Sequence, residues 1–127
     1  MREPLFKPVT IIGGGLAGLT LGLGLRERNI PVTIWEAGSY PRHRVCGEFI
    51  SGRGLGFLER AGLKKLLLAE GAIPARTVAF FSPSGKVRKK NLPEEALCIS
   101  RYKLDALLAE KFRALGGELK DRCRWKE

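Results

Sequence analysis

The run Val9-Thr10-Ile11-Ile12-Gly13-Gly14-Gly15-Leu16-Ala17-Gly18-Leu19 limits what this chain can become more than any other stretch. Four β-branched residues lead straight into glycines, and the glycines lead into a leucine-rich helical pattern. Gly13, Gly15 and Gly18 stand at G-x-G-x-x-G spacing. The first allows a tight strand-to-helix turn, the second leaves room for a pyrophosphate against bare backbone, and the third lets the helix pack closely on its strand. The unpaired N–H groups and positive dipole end of that helix then face the phosphates. A second strand, Val32 to Trp35, ends at Glu36, 23 positions past Gly13. A carboxylate that accepts from the adenosine ribose hydroxyls belongs about 20 residues on. The alternative is a glycine-rich βα turn with no ligand, and the full strand–turn–helix–strand–acid set argues against it. The pattern points to an adenine dinucleotide site.

Composition narrows the class. The 127 residues are 44% hydrophobic and 28% charged, an ordinary globular balance with material for one modest core. The stretch Ile11 to Leu25 follows Arg2 and Lys7 and superficially resembles a signal peptide, but six glycines interrupt it. It also falls short of the roughly 18 apolar residues that a membrane span needs, so the expected location is cytoplasmic. Cys46, Cys98 and Cys123 are an odd number without C-x-x-C spacing, and His43 is the single histidine. Neither a zinc site nor a disulfide scaffold is expected, and the metal content is read as none. The net charge of +10 invites a nucleic-acid reading. Apart from Lys86-Val87-Arg88-Lys89-Lys90, however, the basic residues are mostly scattered and are not interleaved with aromatics in the manner of an RNA-stacking surface. No nucleic-acid partner is expected.

Along the chain, Val9 to Ile12 reads as a parallel strand covered on both faces. A buried helix from about Gly15 to Arg28 follows, with Asn29 as its C-terminal cap. After the second strand, residues 37–52 form a long connection of the kind that carries function. A helix over Arg53 to Ala61 comes next, with another turn at Leu66 to Glu70. Thr77 to Phe81 and Lys86 to Arg88 read as a hairpin about Ser82-Pro83-Ser84-Gly85. A short strand at Ala96 to Ile99 precedes Ser100, a good N-cap. A helix with Leu104, Leu107, Leu108, Phe112 and Leu115 on one face runs to Gly116-Gly117. Leu119 to Trp125 is the expected third parallel strand.

With these pieces placed, the sequence resembles the amino-terminal part of the FAD-dependent monooxygenase superfamily, near its geranylgeranyl reductase and flavin halogenase branches. Three stretches carry the resemblance: VTIIGGGLAGLTLGLGLRERNIPVTIWEAG, PRHRVCGEFISGRGLGFLERAGL and ISRYKLDALLAEKFRALGG. It implies an α/β, Rossmann-like FAD-binding domain of the glutathione-reductase-2 type, as in p-hydroxybenzoate hydroxylase. The domain is expected to be partial, with an inserted β-hairpin from the start of a substrate domain. Residues 1–36 are then the βαβ dinucleotide unit, 37–100 the flavin-proximal loop, helix and first substrate strands, and 101–127 the return helix and third strand. A downstream Gly-Asp segment that closes around the ribityl chain in this superfamily has no counterpart here, so the chain is expected to be either a fragment or a truncated product.

The cofactor-binding residues implied are Gly13, Gly15, Leu16, Ala17 and Gly18 for the pyrophosphate and Glu36 and Ala37 for the ribose. Arg44, Cys46 and Gly47 come from the segment near the flavin, and Arg101 from the return helix, on the cofactor's phosphate or ribose side. A cation at a helix start opposes the dipole, which favours an anion beside Arg101. Arg42 and Arg44 are expected either to reach phosphates of FAD or of a nicotinamide donor, or to form a solvated basic turn. Cys46 is not read as catalytic, Glu48 is a weak candidate for proton work, and His43 reads as a loop residue. No catalytic residue is assigned. The expected function is an FAD-dependent oxidoreductase, a monooxygenase or reductase, with NAD(P)H as electron donor and a hydrophobic or aromatic small-molecule substrate. A non-catalytic dinucleotide-binding fragment and an NAD-dependent dehydrogenase domain are the alternatives. An uncovered sheet edge is expected to invite self-association.

Overall fold

The computed structural model describes residues 6–46 and 48–126, so the expectation for Gly47 lies outside the described residues. The chain divides into two compact units, one running through Arg44 and resuming at Arg101, the other from Val45 to Ser100.

In the first unit, the β-branched runs β1 (Val9–Ile12) and β2 (Val32–Trp35) pair in parallel, Val9 with Val32 through Ile12 with Trp35. Between them lies α1 (Leu16–Arg26), whose C-cap is Glu27 rather than the expected Asn29; Asn29 lies two residues further on at φ 58°. The 14-residue α4 (Arg101–Ala114) stops at Gly116 and leads to β6 (Glu118–Lys120), which pairs in parallel with the other edge of β2. The order β1-β2-β6 makes β2 central among the described strands. Leu19 and Leu23 of α1, Ile34 of β2 and Leu104, Leu108 and Phe112 of α4 form the core. Gly22 is where these elements meet most closely, because a Cβ there falls 2.9 Å from both Ile34 Cδ1 and Phe112 Cε2.

Three further expectations need correction here. β1 is not covered on both faces: Ile11 is buried, but Ile12 is 58% exposed. Nor is α1 buried around its circumference, since its buried stripe is Leu19, Gly22 and Leu23 while Leu21 is 54% exposed. The third strand is shorter than Leu119 to Trp125, because a turn at Asp121 and Arg122, the latter at φ 55°, breaks it after Lys120. The backbone still bonds to the β2 exit beyond that break, Cys123 N–H donating to Glu36 O at 2.9 Å and Arg122 N–H to Gly38 O at 2.7 Å.

The second unit holds β3 (Phe49–Ile50), α2 (Gly52–Arg60), α3 (Lys64–Ala69), β4 (Ile73–Phe81) and β5 (Val87–Cys98). The antiparallel order is β3-β5-β4. Leu55, Leu58, Leu63, Leu67, Ala96 and Leu97 are among its buried apolar residues around the helices and the inner end of β5. The hairpin is longer than the sequence pattern suggests, and the expected separate strand at Ala96 is the far end of β5 itself. The register jumps from Ala75–Ala96 to Thr77–Asn91, so Leu92 to Glu95 bulge out of the ladder. Pro93 lies in that bulge, where a residue without an N–H leaves no ladder bond unmade. The strand β3 has no signal in the sequence, being two residues paired with Leu97 and Cys98.

Candidate dinucleotide-binding site

Each fingerprint glycine does a different job in the first unit. Gly13 leaves β1 at φ 103°, a conformation that L side chains rarely adopt, while its N–H still donates to Trp35 O at 2.7 Å. A Cβ on Gly18 falls 2.0 Å from the Gly13 carbonyl oxygen, so the glycine there lets α1 pass against the turn. A Cβ on Gly15 meets nothing within 4 Å. Of Gly14, Gly15 and Gly18, only Gly15 faces open space, and it is the one whose bare backbone a pyrophosphate needs. Leu16 and Ala17 follow as the first residues of α1.

Glu36, at the exit of β2, is 6% exposed. Its Oε2 accepts from Gly14 N–H at 2.8 Å and from Arg42 Nη2 at 3.0 Å, and its Oε1 accepts from Gly38 N–H at 2.7 Å. Arg42 Nη1 forms an ion pair with Oε1 at 2.6 Å. Burial pushes the carboxyl pKa up, but the hydrogen bonds from Arg42, Gly38 and Gly14 and the Arg42 charge outweigh it and hold the group at about 2. The guanidinium is held in its charged form by the same pair. Glu36 thus joins the end of β2 to the glycine loop. Ala37, beside it, is exposed.

Sequence reasoning did not foresee the part played by Tyr40 and Arg42. The Tyr40 hydroxyl donates to Gly14 O, and Arg42 Nη2 donates to the same carbonyl at 3.1 Å. The guanidinium carbon stands 4.8 Å from the centre of the Tyr40 ring. Arg42 is therefore not part of a solvated turn; its side chain is 13% exposed, its Nη1 is ion-paired with Glu36 Oε1, and its Nε is buried without a hydrogen-bond acceptor among the described residues. The signal available in the sequence was an aromatic and a cation four and six positions after the acid.

Arg101 opens α4 and grips Asp105 in two hydrogen bonds, Nε to Oδ1 at 2.6 Å and Nη2 to Oδ2 at 2.9 Å. Asp105 is 0% exposed. A protein carboxylate one turn along thus provides an anion beside this helix-start cation. Arg44 is exposed, His43 packs on the Tyr102 ring at 4.7 Å, and in the other unit Cys46 and Glu48 are exposed.

Residues 7–126 match the family model described as FAD binding domain. The chain belongs to the FAD-binding domain family. It is 27% identical over 125 residues to Conditioned medium factor receptor 1 of Dictyostelium discoideum, an alignment covering 89% of this chain and 24% of that protein. Identity to Monooxygenase 1 of Arabidopsis thaliana is 26% over 104 residues, covering 80% of this chain and 26% of that protein. The crystal structure of CmlS, a flavin-dependent halogenase, superposes with a TM-score of 0.81 at 25% identity, covering 98% of this chain and 24% of that one. The chain therefore spans about a quarter of the length of the curated relatives it matches. The expected superfamily, its α/β fold and FAD as its cofactor agree with these matches. No helix among the described residues is long and apolar enough to cross a membrane.

Proposed function

We propose that this chain is the part of an FAD-dependent oxidoreductase that holds the adenosine diphosphate half of the cofactor. The single observation that carries the reading is the pairing of an open Gly15 with a buried, ionised Glu36 bonded to the neighbouring Gly14. Backbone N–H groups at the start of α1 bind the pyrophosphate, and the Glu36 carboxylate accepts from the ribose hydroxyls. A second phosphate on that ribose is repelled by the carboxylate. Leu16, Ala17 and Gly18 complete the phosphate turn, and Ala37 flanks the ribose. Arg44, Cys46, Gly47 and Arg101 are proposed to lie along the rest of the cofactor.

FAD, when bound, supplies the redox chemistry, and the protein supplies orientation and exclusion of water. The proposed reaction is oxygenation, halogenation or reduction of a hydrophobic or aromatic small molecule, with NAD(P)H as the electron donor, in the cytoplasm. The names of two matched proteins, a monooxygenase and a flavin-dependent halogenase, support that range. Self-association through the free edge of β1 is part of the same proposal.

The test is reconstitution of the purified protein with FAD, removal of free flavin, and a visible spectrum. Partial retention of flavin, with FAD held in preference to NAD, is the expected result. Retention of NAD in place of FAD would overturn it in favour of a dehydrogenase domain.

A further inference from the structure

Gly14 is gripped through both of its backbone polar groups. Its N–H donates to Glu36 Oε2 at 2.8 Å, and its carbonyl accepts from the Tyr40 hydroxyl and from Arg42 Nη2 at 3.1 Å. This side of the loop is filled, since a Cβ on Gly14 falls 2.1 Å from the Tyr40 oxygen, while the space beside Gly15 is open. Among the described residues the cis peptide is Tyr40–Pro41, so the Gly14–Gly15 peptide is trans. A planar trans peptide aims its C=O and its N–H in opposite directions. Drawing the Gly14 carbonyl toward Tyr40 and Arg42 therefore turns the Gly15 N–H the other way, toward the open side of the loop.

We propose that Tyr40 and Arg42 are positioning residues for the phosphate subsite: by holding the Gly14 carbonyl they fix the Gly15 N–H toward the pyrophosphate of FAD. This rests on the reading of the Gly13–Gly18 loop as that subsite. Without such a hold, a glycine-flanked peptide rotates easily, because neither side has a Cβ to resist it. Arg42 also joins the two halves of the site, since its Nη2 bonds both Glu36 Oε2 and Gly14 O. Burial raises the Tyr40 pKa to about 12, so its O–H remains a donor at physiological pH.

Tyr40→Phe tests this, because it keeps the ring stacked on Arg42 and removes only the hydroxyl. Affinities for FAD, ADP and adenosine are measured by calorimetry in the purified protein, beside melting temperature. Loss of one positioned hydrogen bond predicts FAD and ADP about three- to tenfold weaker, with adenosine, which has no phosphate, within about twofold of wild type. Arg42→Lys, whose ammonium cannot bridge the Gly14 carbonyl and both Glu36 oxygens at once, is expected to weaken ADP and adenosine together. An equal loss of ADP and adenosine in Tyr40→Phe, or no loss of ADP, overturns the proposal. Should Tyr40→Phe lower the folded fraction, the ratio of ADP to adenosine affinity still decides, because both ligands bind the same folded molecules. Gly15→Val in the same series separates the two readings. If Gly15→Val loses FAD while Tyr40→Phe keeps it, only the positioning role fails; if Gly15→Val keeps FAD, the phosphate loop itself is misassigned and the proposal falls with it.

Discussion

Gly15 and Gly18 sit three residues apart, yet substitution should separate them completely. A methyl group at Gly15 enters open space, so Gly15→Ala is expected to leave the stability within about 0.5 kcal/mol of wild type. At Gly18 the same methyl meets a backbone oxygen at 2.0 Å, which only movement of α1 or the turn can relieve. Overpacking of that kind costs about 1–3 kcal/mol or more, and denaturant melts of the two variants check the contrast. Glu36 makes a second prediction at this scale. Its carboxyl is held at about 2 in the folded chain against 4.5 ordinarily, so it stabilises the fold fully above about pH 4.5. That contribution, on the order of 3 kcal/mol, is lost as pH falls toward 2. Glu36→Gln should therefore show a flatter decline in stability between pH 5 and about pH 2 than wild type. Equal acid limbs in urea melts of the two proteins would sink the assignment.

Helix α1 shows at the scale of an element what glycine spacing alone does not reveal. Gly22 and Gly24 look alike in sequence, but Gly22 lies between Ile34 and Phe112 while Gly24 has only the tip of Arg28 nearby, at 3.7 Å. Gly24→Ala should stabilise by about 0.5–1 kcal/mol through helix propensity. Gly22→Ala gains the same propensity but overpacks two fully buried side chains, and a net loss of stability is expected. Thermal melts that rank the two the other way would contradict the packing. The elements legible in the sequence were those whose cause is local. β1 and β2 were found at their observed ends because β-branched runs stop at glycine and at Glu36. α4 was visible from its apolar spacing and its glycine stop. The strand β3 and the middle of β5 were not legible, because pairing with distant residues creates them. Pro93 also disguised a continuous strand by sitting in its bulge. In the site, Glu36 was legible from its position, but Tyr40 and Arg42 were not, since only the turn after β2 brings them back onto Gly14.

For the molecule as a whole, β1 lies at an edge of the described parallel sheet with Ile12 exposed, and the β4–β5 hairpin exposes Phe80 and Phe81, the latter 76%. Free strand edges and exposed apolar side chains favour pairing with another chain. The isolated 127-residue chain is expected to self-associate with concentration, and Ile12→Lys to suppress this, as read by sedimentation equilibrium. A monomer at all concentrations would remove the edge from consideration. The chain by itself is also expected to hold FAD weakly, since it spans only about a quarter of the relatives that share its loop. A ratio of affinities is therefore more telling than an absolute value. The most direct test is FAD titration of wild type and Gly15→Val, followed by flavin fluorescence and paired with melting curves of both. An unchanged melting curve with at least about tenfold weaker FAD binding in Gly15→Val is the predicted result. Equal FAD affinity in two equally folded proteins would contradict the placement of the cofactor's pyrophosphate at this loop.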